Sequence, residues 1–598
     1  MLRMMNESIP PCQDVRQLAC GAWLHSNPLP PSPRQRVREL IGTLPHPTRV
    51  SSLPWKVKHF YDSCMALDNV ETDKALPLRK IITQLGGWHV LREFTMLSWD
   101  FRRVLELLHK DYGVSPFFRI SVTVDGRKPN RNIIQISPSG LGLPDRSYYY
   151  RHPDSPVVSA YKRFLKDMVQ LLGATSTDAS GFSEEMFHFE KRIAEITPTT
   201  EELRDPALTN NLMTLEEIRN LAQSIPLQEI LRAMFPMATI DDKTELLVVS
   251  KQYLNKVSMI ISTTDRSALN NYVMWTFASA YLQYLSQEYA DIVNAYRREM
   301  TGAKNAIPRW EMCVSTLQRF MGLAVTALYE KSILHRDADS KVVKDMFEEL
   351  MKTMADEFML EDSYLESYYE KFFVQKNDFF QNIRYGVSFA IESALRRYLH
   401  PTEEDRWSNS LMGYTARYEP TANRVVVPLS VLQPPFFQRD YPRAILYGSI
   451  GVRLSLAIVE SAGPWGVLWD SEGKLILPDM DNDEGMENNV HKQASSIARQ
   501  SQQCLYQTVV RSDSRDAADA ANRTSYNILA AANAASLSYK MHCSSQTPQQ
   551  QDLDENVRFH VGDTMLLRLT MRQLESFSSA FQCRHDSVLF SRRSCVQY

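Results

Sequence analysis

Apolar residues recur at helical spacing over most of the first two thirds of the chain. Between positions 342 and 358 they fall three or four residues apart with lysine and glutamate between them, which places them on one face of a helix. Residues 272–281 are almost all apolar or aromatic and predict a largely buried helix. From about 55 to 400 the pattern therefore predicts a mainly helical region, whose apolar stripes form the core.

Alternation of apolar and polar residues predicts strands in only two places. Residues 119–137 read as a hairpin with its turn at 125–127. Its apolar positions are Ile120, Val122 and Val124, then Ile133, Ile134 and Ile136. Residues 424–429 read as a further strand, which Pro428 restricts to a sheet edge.

Composition divides the chain into three parts. Residues 1–50 are irregular and rich in proline, 51–400 form the helical region, and a polar break near 395–410 separates it from a C-terminal region over 401–598. A chain of 598 residues is long enough for two or more lobes. The net charge of −3 gives no electrostatic reason to expect a nucleic acid or an anionic membrane as partner.

Targeting signals are not evident in this sequence. The N-terminal residues lack the apolar core of a signal peptide, and no run of eighteen apolar residues occurs. The nearest candidate, 444–469, carries Arg453 and Glu460 and reads better as a buried helix with turns. We therefore expect no transmembrane segment in this chain. Either the protein is cytoplasmic, or the sequence is a truncated or alternatively started form of a secreted or anchored protein.

Eight cysteines are dispersed along the chain without any CxxC pair, which argues against zinc ribbons and thioredoxin-type chemistry. An even, dispersed set is compatible with buried thiols or with extracellular disulfides, and composition favours neither. The cysteines are Cys12, Cys20, Cys64, Cys313, Cys504, Cys543, Cys583 and Cys595.

One segment carries the strongest functional signal. Residues 447–461 begin Tyr-Gly-Ser-Ile-Gly and follow the unusual lead-in Val-Leu-Gln-Pro-Pro-Phe-Phe at 431–437. Together they resemble the catalytic segment of the neprilysin family of zinc metalloendopeptidases, which includes proteins like the endothelin-converting enzymes. In that family LQPPFF is followed by YGGIG and then by an HExxH helix.

Further segments resemble the same family in the same order along nearly the whole chain. They lie at 11–23, 60–65, 85–88, 139–149, 269–275, 309–313 and 580–595. The resemblance implies the neprilysin-like metallopeptidase fold, which is mainly α, with two lobes around a central cavity and only small β-sheets.

The chemistry of the HExxH motif is missing at the matching positions. Its two histidines bind one Zn²⁺ and its glutamate takes a proton from the bound water. Here these positions hold Leu456, Ala457 and Glu460. The resemblance places the third zinc ligand on Tyr526 and the aspartate that orients a histidine on Ala530. Glu460 alone is no metal site and reads as a solvated or paired glutamate.

Substrate-binding positions of the family are only partly kept. The edge strand that hydrogen-bonds the peptide backbone corresponds to 415–418, where Thr415 replaces asparagine while Ala416 and Tyr418 remain. The arginine that holds a substrate carboxylate becomes His560, and the transition-state histidine falls on Asp554.

Zinc is not rebuilt elsewhere by any local motif. No two of the thirteen histidines are closer than thirteen residues, so no HxxxH pair exists. The acidic loop at 479–485 fails as an EF-hand, because Glu484 and Val490 stand where glycine and glutamate are needed. GxSxG and GxxxxGK[ST] motifs are also absent. We therefore expect no metal and no cofactor.

The cysteines all fall on family cysteine positions. The resemblance implies the disulfides Cys12–Cys583, Cys20–Cys543, Cys64–Cys313 and Cys504–Cys595. A complete set suggests folding in an oxidising compartment, so we expect an extracellular or cell-surface protein. Asn6 and Asn522 head glycosylation sequons.

The family's sequence segments are retained while its catalytic residues are replaced, which favours a pseudoenzyme. The resulting hypothesis is an inactive, extracellular neprilysin-like protein that binds a peptide or protein partner without cleaving it. Two alternatives stay open. One is a zinc-dependent metalloendopeptidase of peptide processing or turnover that uses non-standard ligands. The other is a structural paralogue with no specific ligand.

Overall fold

Helices dominate the part of the chain that the computed structural model describes, and strands form two small sheets. The described residues are 32–44, 49–200, 202–303, 305–331, 341–346, 362–400, 416–433, 436–441, 446–461 and 465–476, with single residues at 8, 10, 339, 413 and 463. The mainly α prediction is confirmed.

The chain divides into two compact units. The larger unit comprises Val37–Val325 and Leu360–Asn409, and the smaller comprises Met1–Arg36, Thr326–Met359 and Ser410–Tyr598.

Seventeen helices of the described part of the chain are named here, and residues 341–346 are also helical. They are α1 (Pro33–Thr43), α2 (Leu53–Met65), α3 (Leu67–Asp73), α4 (Leu76–Gln84), α5 (Phe101–Lys110), α6 (Pro156–Leu171), α7 (Ser176–Ile196), α8 (Pro206–Thr209), α9 (Leu215–Leu221), α10 (Leu227–Met234), α11 (Lys251–Thr263), α12 (Arg266–Tyr281), α13 (Gln287–Thr301), α14 (Arg309–Glu330), α15 (Asp362–Tyr368), α16 (Phe379–Leu399) and α17 (Val452–Ser461).

Polar side chains define where several helices begin. Asp265 accepts hydrogen bonds from two backbone N–H groups in the first turn of α12. Thr214 and Glu217 form a reciprocal capping box at the start of α9. Such caps satisfy donors that the first helical turn leaves without an intrahelical partner.

Helix α12 lies in the core of the larger unit, as the apolar run at 272–281 predicts. Tyr272, Trp275 and Phe277 are fully buried, and the helix is buried on nearly every side. Because a helix this apolar has no face suited to water, packing on all sides is its stable arrangement.

Two buried asparagines at the start of α12 hold a distant turn. The backbone N–H of His89 donates to Oδ1 of Asn270 at 2.8 Å, and Nδ2 of Asn270 donates to the carbonyl of Gly87 at 3.1 Å. Asn271 accepts from the N–H of Val90 at 3.0 Å. Gly87 has φ +80°, and a side chain there would collide with neighbouring backbone. These bonds join the segments at 85–88 and 269–275 into one structural element.

The larger sheet contains the predicted hairpin. Strand β1 (Phe118–Asp125) pairs antiparallel with β2 (Lys128–Pro138), with an irregular register beside Asp125. Strand β4 (Glu245–Val248) pairs parallel with β2 and antiparallel with β3 (Asn211–Thr214). The strand order is β1-β2-β4-β3.

A buried carboxyl group fastens the loop after β2 to α7. The hydroxyl of Tyr149 donates to Glu190 at 2.7 Å, and that of Tyr161 donates at 2.8 Å. The backbone of Gly142 donates a further hydrogen bond, and a side chain at Gly142 would overlap the Tyr161 hydroxyl. Burial raises the pKa of Glu190 to about 7, although these three donors oppose the rise.

The Cys64–Cys313 disulfide implied by the resemblance is present. It joins the end of α2 to α14, with both cysteines fully buried and their Cα atoms 5.8 Å apart. Nε of Arg309 donates to the carbonyl of Cys64 at 2.7 Å. Outside the described residues lie the other predicted pairs and both sequons, namely Cys12–Cys583, Cys20–Cys543, Cys504–Cys595, Asn6 and Asn522.

The apolar stretch at 444–469 folds as expected. Its described part holds a short π-helical turn, the ten-residue α17 and a 3₁₀ turn. Among the described residues, none of the helices combines the length and the apolar character needed to cross a bilayer.

Candidate functional site

Helix α17 carries the positions that the resemblance assigns to the HExxH motif, and its apolar residues explain how it packs. A π-helical turn, Tyr447–Gly451, leads directly into it. Ile450, Leu454 and Ala457 are fully buried at the i, i+4, i+7 spacing of one helix face. This face fixes the helix in the smaller unit.

The core beneath α17 includes part of the apolar stripe predicted at 342–358. Val343 and Met346 are buried in one cluster with Leu454. Val431 and Phe437 of the lead-in segment complete that cluster. The core interpretation holds for these two stripe residues, and positions 347–358 lie outside the described part of the chain.

Hydrogen bonds join the lead-in segment to its surroundings. The hydroxyl of Ser449, in the π-helical turn, donates to the carbonyl of Phe436 at 2.7 Å. The hydroxyl of Tyr329 donates to Oε1 of the buried Gln433 at 2.8 Å. The lead-in and the turn are therefore one element that sets the start of α17.

The side chains at the HExxH positions do not fit a zinc ion. Leu456 is half-buried and Ala457 fully buried, and neither carries a ligand atom. Glu460, one turn after Leu456, is exposed. Catalytic zinc requires three protein ligands, whereas these positions supply one carboxylate. Across the described ranges, no three His, Cys, Asp or Glu side chains come together in a way that could hold a metal.

The remaining predicted site residues divide between those the structure describes and those it does not. Ala416 is buried immediately before β5 (Arg417–Glu419), which contains Tyr418. Outside the described residues lie Thr415, Tyr526, Ala530, Asp554 and His560, whose assignments stay predictions.

Strand β5 pairs antiparallel with β6 (Arg424–Val426), the strand predicted from residues 424–429. Asn423 occupies the left-handed region with φ +43° in the turn between them. Its Oδ1 accepts from the Tyr418 hydroxyl at 2.9 Å, and its Nδ2 donates to the carbonyl of Ser471 at 3.1 Å. Asparagine suits this position because it tolerates the left-handed conformation.

Ion pairs reinforce the same hairpin. Glu419 accepts from Nη2 of Arg417 at 3.2 Å and from Nη2 of Arg424 at 2.7 Å. Both carboxylate oxygens are thus engaged within the hairpin. The pair between Glu419 and Arg424 joins β5 to β6, whereas the pair between Arg417 and Glu419 lies within β5.

The structure pairs Glu460 with the backbone of β5. Its Oε2 accepts a hydrogen bond from the N–H of Tyr418 at 3.5 Å. Sequence reasoning left Glu460 as a solvated or paired side chain and could not name this partner, because the two residues lie 42 positions apart. No local motif encodes that approach.

Arg453 makes a contact that the sequence analysis did not predict. Its guanidinium lies over the Phe436 ring, 4.2 Å from the centroid. Burial lowers the pKa of Arg453 to about 10, so it stays protonated at neutral pH. This cation–π contact ties α17 to the aromatic end of the lead-in segment.

Comparison with known proteins places this architecture in a family. Residues 11–362 and residues 415–540 each match a model described as peptidase family M13. The chain is 28% identical to rat (Rattus norvegicus) endothelin-converting enzyme 1 over 519 residues, which are 79% of this chain and 68% of that protein. It is 24% identical to human (Homo sapiens) endothelin-converting enzyme-like 1 over 522 residues, 79% of this chain and 67% of that protein.

Solved structures show the same fold. The zinc metalloprotease Zmp1 of Mycobacterium tuberculosis, in complex with inhibitor, matches with a TM-score of 0.80 at 20% identity, over 99% of this chain and 98% of that one. PepO from Lactobacillus rhamnosis matches with a TM-score of 0.76 at 15% identity, over 98% of each chain. The prediction of a neprilysin-like fold is therefore confirmed. With the first family model alone spanning more than half of its residues, this chain belongs to peptidase family M13.

Proposed function

We propose that this chain is a catalytically inactive member of peptidase family M13. In this proposal it binds a peptide or protein partner without cleaving it, outside the cell or at the cell surface. The observation that carries the proposal is the side-chain set of α17, where Leu456 and Ala457 stand at positions that must supply a metal ligand and a general base.

The proposed loss of catalysis follows from the types of side chain present and does not depend on their exact geometry. Activating water for attack on a peptide bond requires a Lewis acid, a base or both. A leucine side chain and a buried alanine methyl group can provide neither, whatever the local conformation. The exposed carboxylate of Glu460 is the one ionisable group at the three motif positions, and it is paired with backbone.

The structural frame around these positions supports a retained binding role. Leu454 and Ala457 of α17 and Ile450 of the preceding turn are fully buried, and an ion pair between Glu419 and Arg424 joins β5 to β6. An ordered strand beside a helix suits recognition of an extended peptide, because main-chain hydrogen bonds can form along a strand edge.

The proposed location rests on cysteine chemistry. Cys64 and Cys313 are bonded, and stable disulfides are typical of secreted proteins and cell-surface ectodomains.

The proposal predicts no metal-dependent peptide hydrolysis. Protein secreted from a eukaryotic host would be incubated with an internally quenched peptide library, with and without 1,10-phenanthroline. We expect equal, background-level fluorescence in both samples, because the site lacks a ligand set and a base. Medium from the same host without the expressed chain, purified in the same way, reports contaminating peptidase.

Chelator-sensitive hydrolysis above that background would contradict the proposal. In that event Glu460→Ala decides whether the activity arises at this site. Loss of hydrolysis in the variant would establish the alternative of an enzyme with non-standard ligands.

A further inference from the structure

Strand β5 has one edge occupied by β6 and another that faces α17. Arg417 lies opposite Val426, and Glu419 lies opposite Arg424. In an antiparallel pair, the backbone groups of successive residues point alternately toward the partner strand and away from it. Because the N–H of Tyr418 is directed to Glu460, it belongs to the edge away from β6.

The carboxylate of Glu460 takes the position that a peptide carbonyl would take in an added strand. A strand joins a sheet edge by placing its carbonyl oxygens on that edge's N–H groups. Here Oε2 of Glu460 already accepts a hydrogen bond from the N–H of Tyr418, the middle residue of β5, on the edge away from β6. The Tyr418 hydroxyl is bonded to Asn423, so it does not compete for this position.

We infer that Glu460 is an internal competitor for this edge, an autoinhibitory contact that an extended peptide must displace in order to pair with β5. The inference rests on the proposed function, since it describes how peptide binding at that site is restrained. The ligand expected at this edge of β5 is the backbone of an extended peptide, whose carbonyl oxygen accepts a hydrogen bond from the N–H of Tyr418.

The geometry fits a contact that opens easily. Glu460 is exposed, and its 3.5 Å separation from the Tyr418 nitrogen is at the long limit of hydrogen bonding. Strand β5 is joined to β6 by the ion pair between Glu419 and Arg424. Peptide pairing at the Tyr418 N–H therefore requires the Glu460 side chain to move away.

Two measurements on the full-length secreted chain test the inference. The first is amide hydrogen exchange at Tyr418, which we expect to be roughly threefold to tenfold faster in Glu460→Ala than in the native chain. The second is fluorescence anisotropy with a fluorescein-labelled, C-amidated octapeptide of alternating valine and threonine. We expect Glu460→Ala to bind this probe roughly threefold to tenfold more tightly.

Two further variants serve as controls. Glu460→Gln keeps an oxygen acceptor, so its affinity should lie between those of the native chain and Glu460→Ala. Glu472→Ala removes another exposed carboxylate from the same unit and should leave both measurements unchanged.

Equal affinity of the native chain and Glu460→Ala would overturn the inference, and so would an absence of binding by either. Faster amide exchange at Tyr418 without tighter peptide binding in Glu460→Ala would also overturn the inference, because the Glu460 contact would then not compete with the peptide. None of these outcomes bears on hydrolysis, so catalytic inactivity is tested separately, by the chelator experiment and by the zinc content.

Discussion

Replacing Cys64 and Cys313 together by alanine is expected to lower the free energy of unfolding by about 5 kcal/mol. The disulfide closes a loop with a sequence separation of 249 residues, and cross-linking so long a loop removes much entropy from the unfolded chain. Both cysteines are fully buried, so alanine also loses the packing of two sulfur atoms. Urea unfolding followed by tryptophan fluorescence measures the change.

The matched control is dithiothreitol treatment of the native protein and the double variant. Reduction should destabilise the native protein strongly and the variant less, because the variant no longer contains this bond. A double variant whose unfolding free energy stays within about 1 kcal/mol of the native value would contradict the expected role of the bond.

Stability is expected to fall as the pH rises from about 4.5 to about 7, owing to Glu190. Burial raises its pKa from 4.5 to about 7 in the folded protein, so in this window the folded state holds a proton that the unfolded state has released. The contribution is therefore complete below pH 4.5 and is lost as the pH approaches 7. Over that window it amounts to about 3 kcal/mol.

Glu190→Gln isolates this contribution. The amide is close in shape and cannot titrate, so the variant should lose the descending part of the profile while keeping contacts to Tyr149 and Tyr161. Urea unfolding at half-unit pH intervals provides both profiles. If the variant followed the same slope as the native chain between pH 5 and 7, another group would be responsible.

Local spacing in the sequence was sufficient for several elements. The hairpin of β1 and β2 was predictable because alternation records which side chains face the core. The buried part of α12 was predictable because an apolar run without a polar face has no stable exposed arrangement. The place of α17 followed from the lead-in at 431–437 and the turn after it.

Contacts between distant positions could not be predicted in the same way. Asn270 bonds the turn at Gly87, 183 residues away, and the Glu460 contact spans 42 residues. Nothing in the spacing around Glu190 indicates that two tyrosine hydroxyls will meet its carboxylate. Such contacts depend on how elements pack, and the sequence pattern of one element does not contain that information.

The most direct test of the central claim is the zinc content of the native chain and of a variant that restores the motif. The variant carries Leu456→His, Ala457→Glu, Glu460→His and Tyr526→Glu. Both proteins are purified from the secretion medium, equilibrated with zinc and dialysed to remove unbound metal. Their zinc content is then measured by inductively coupled plasma mass spectrometry. We expect no bound zinc in the native chain and close to one equivalent of zinc in the variant. Stoichiometric zinc in the native chain would contradict the central claim, because the chain would then possess a zinc ligand set despite Leu456 and Ala457 in α17.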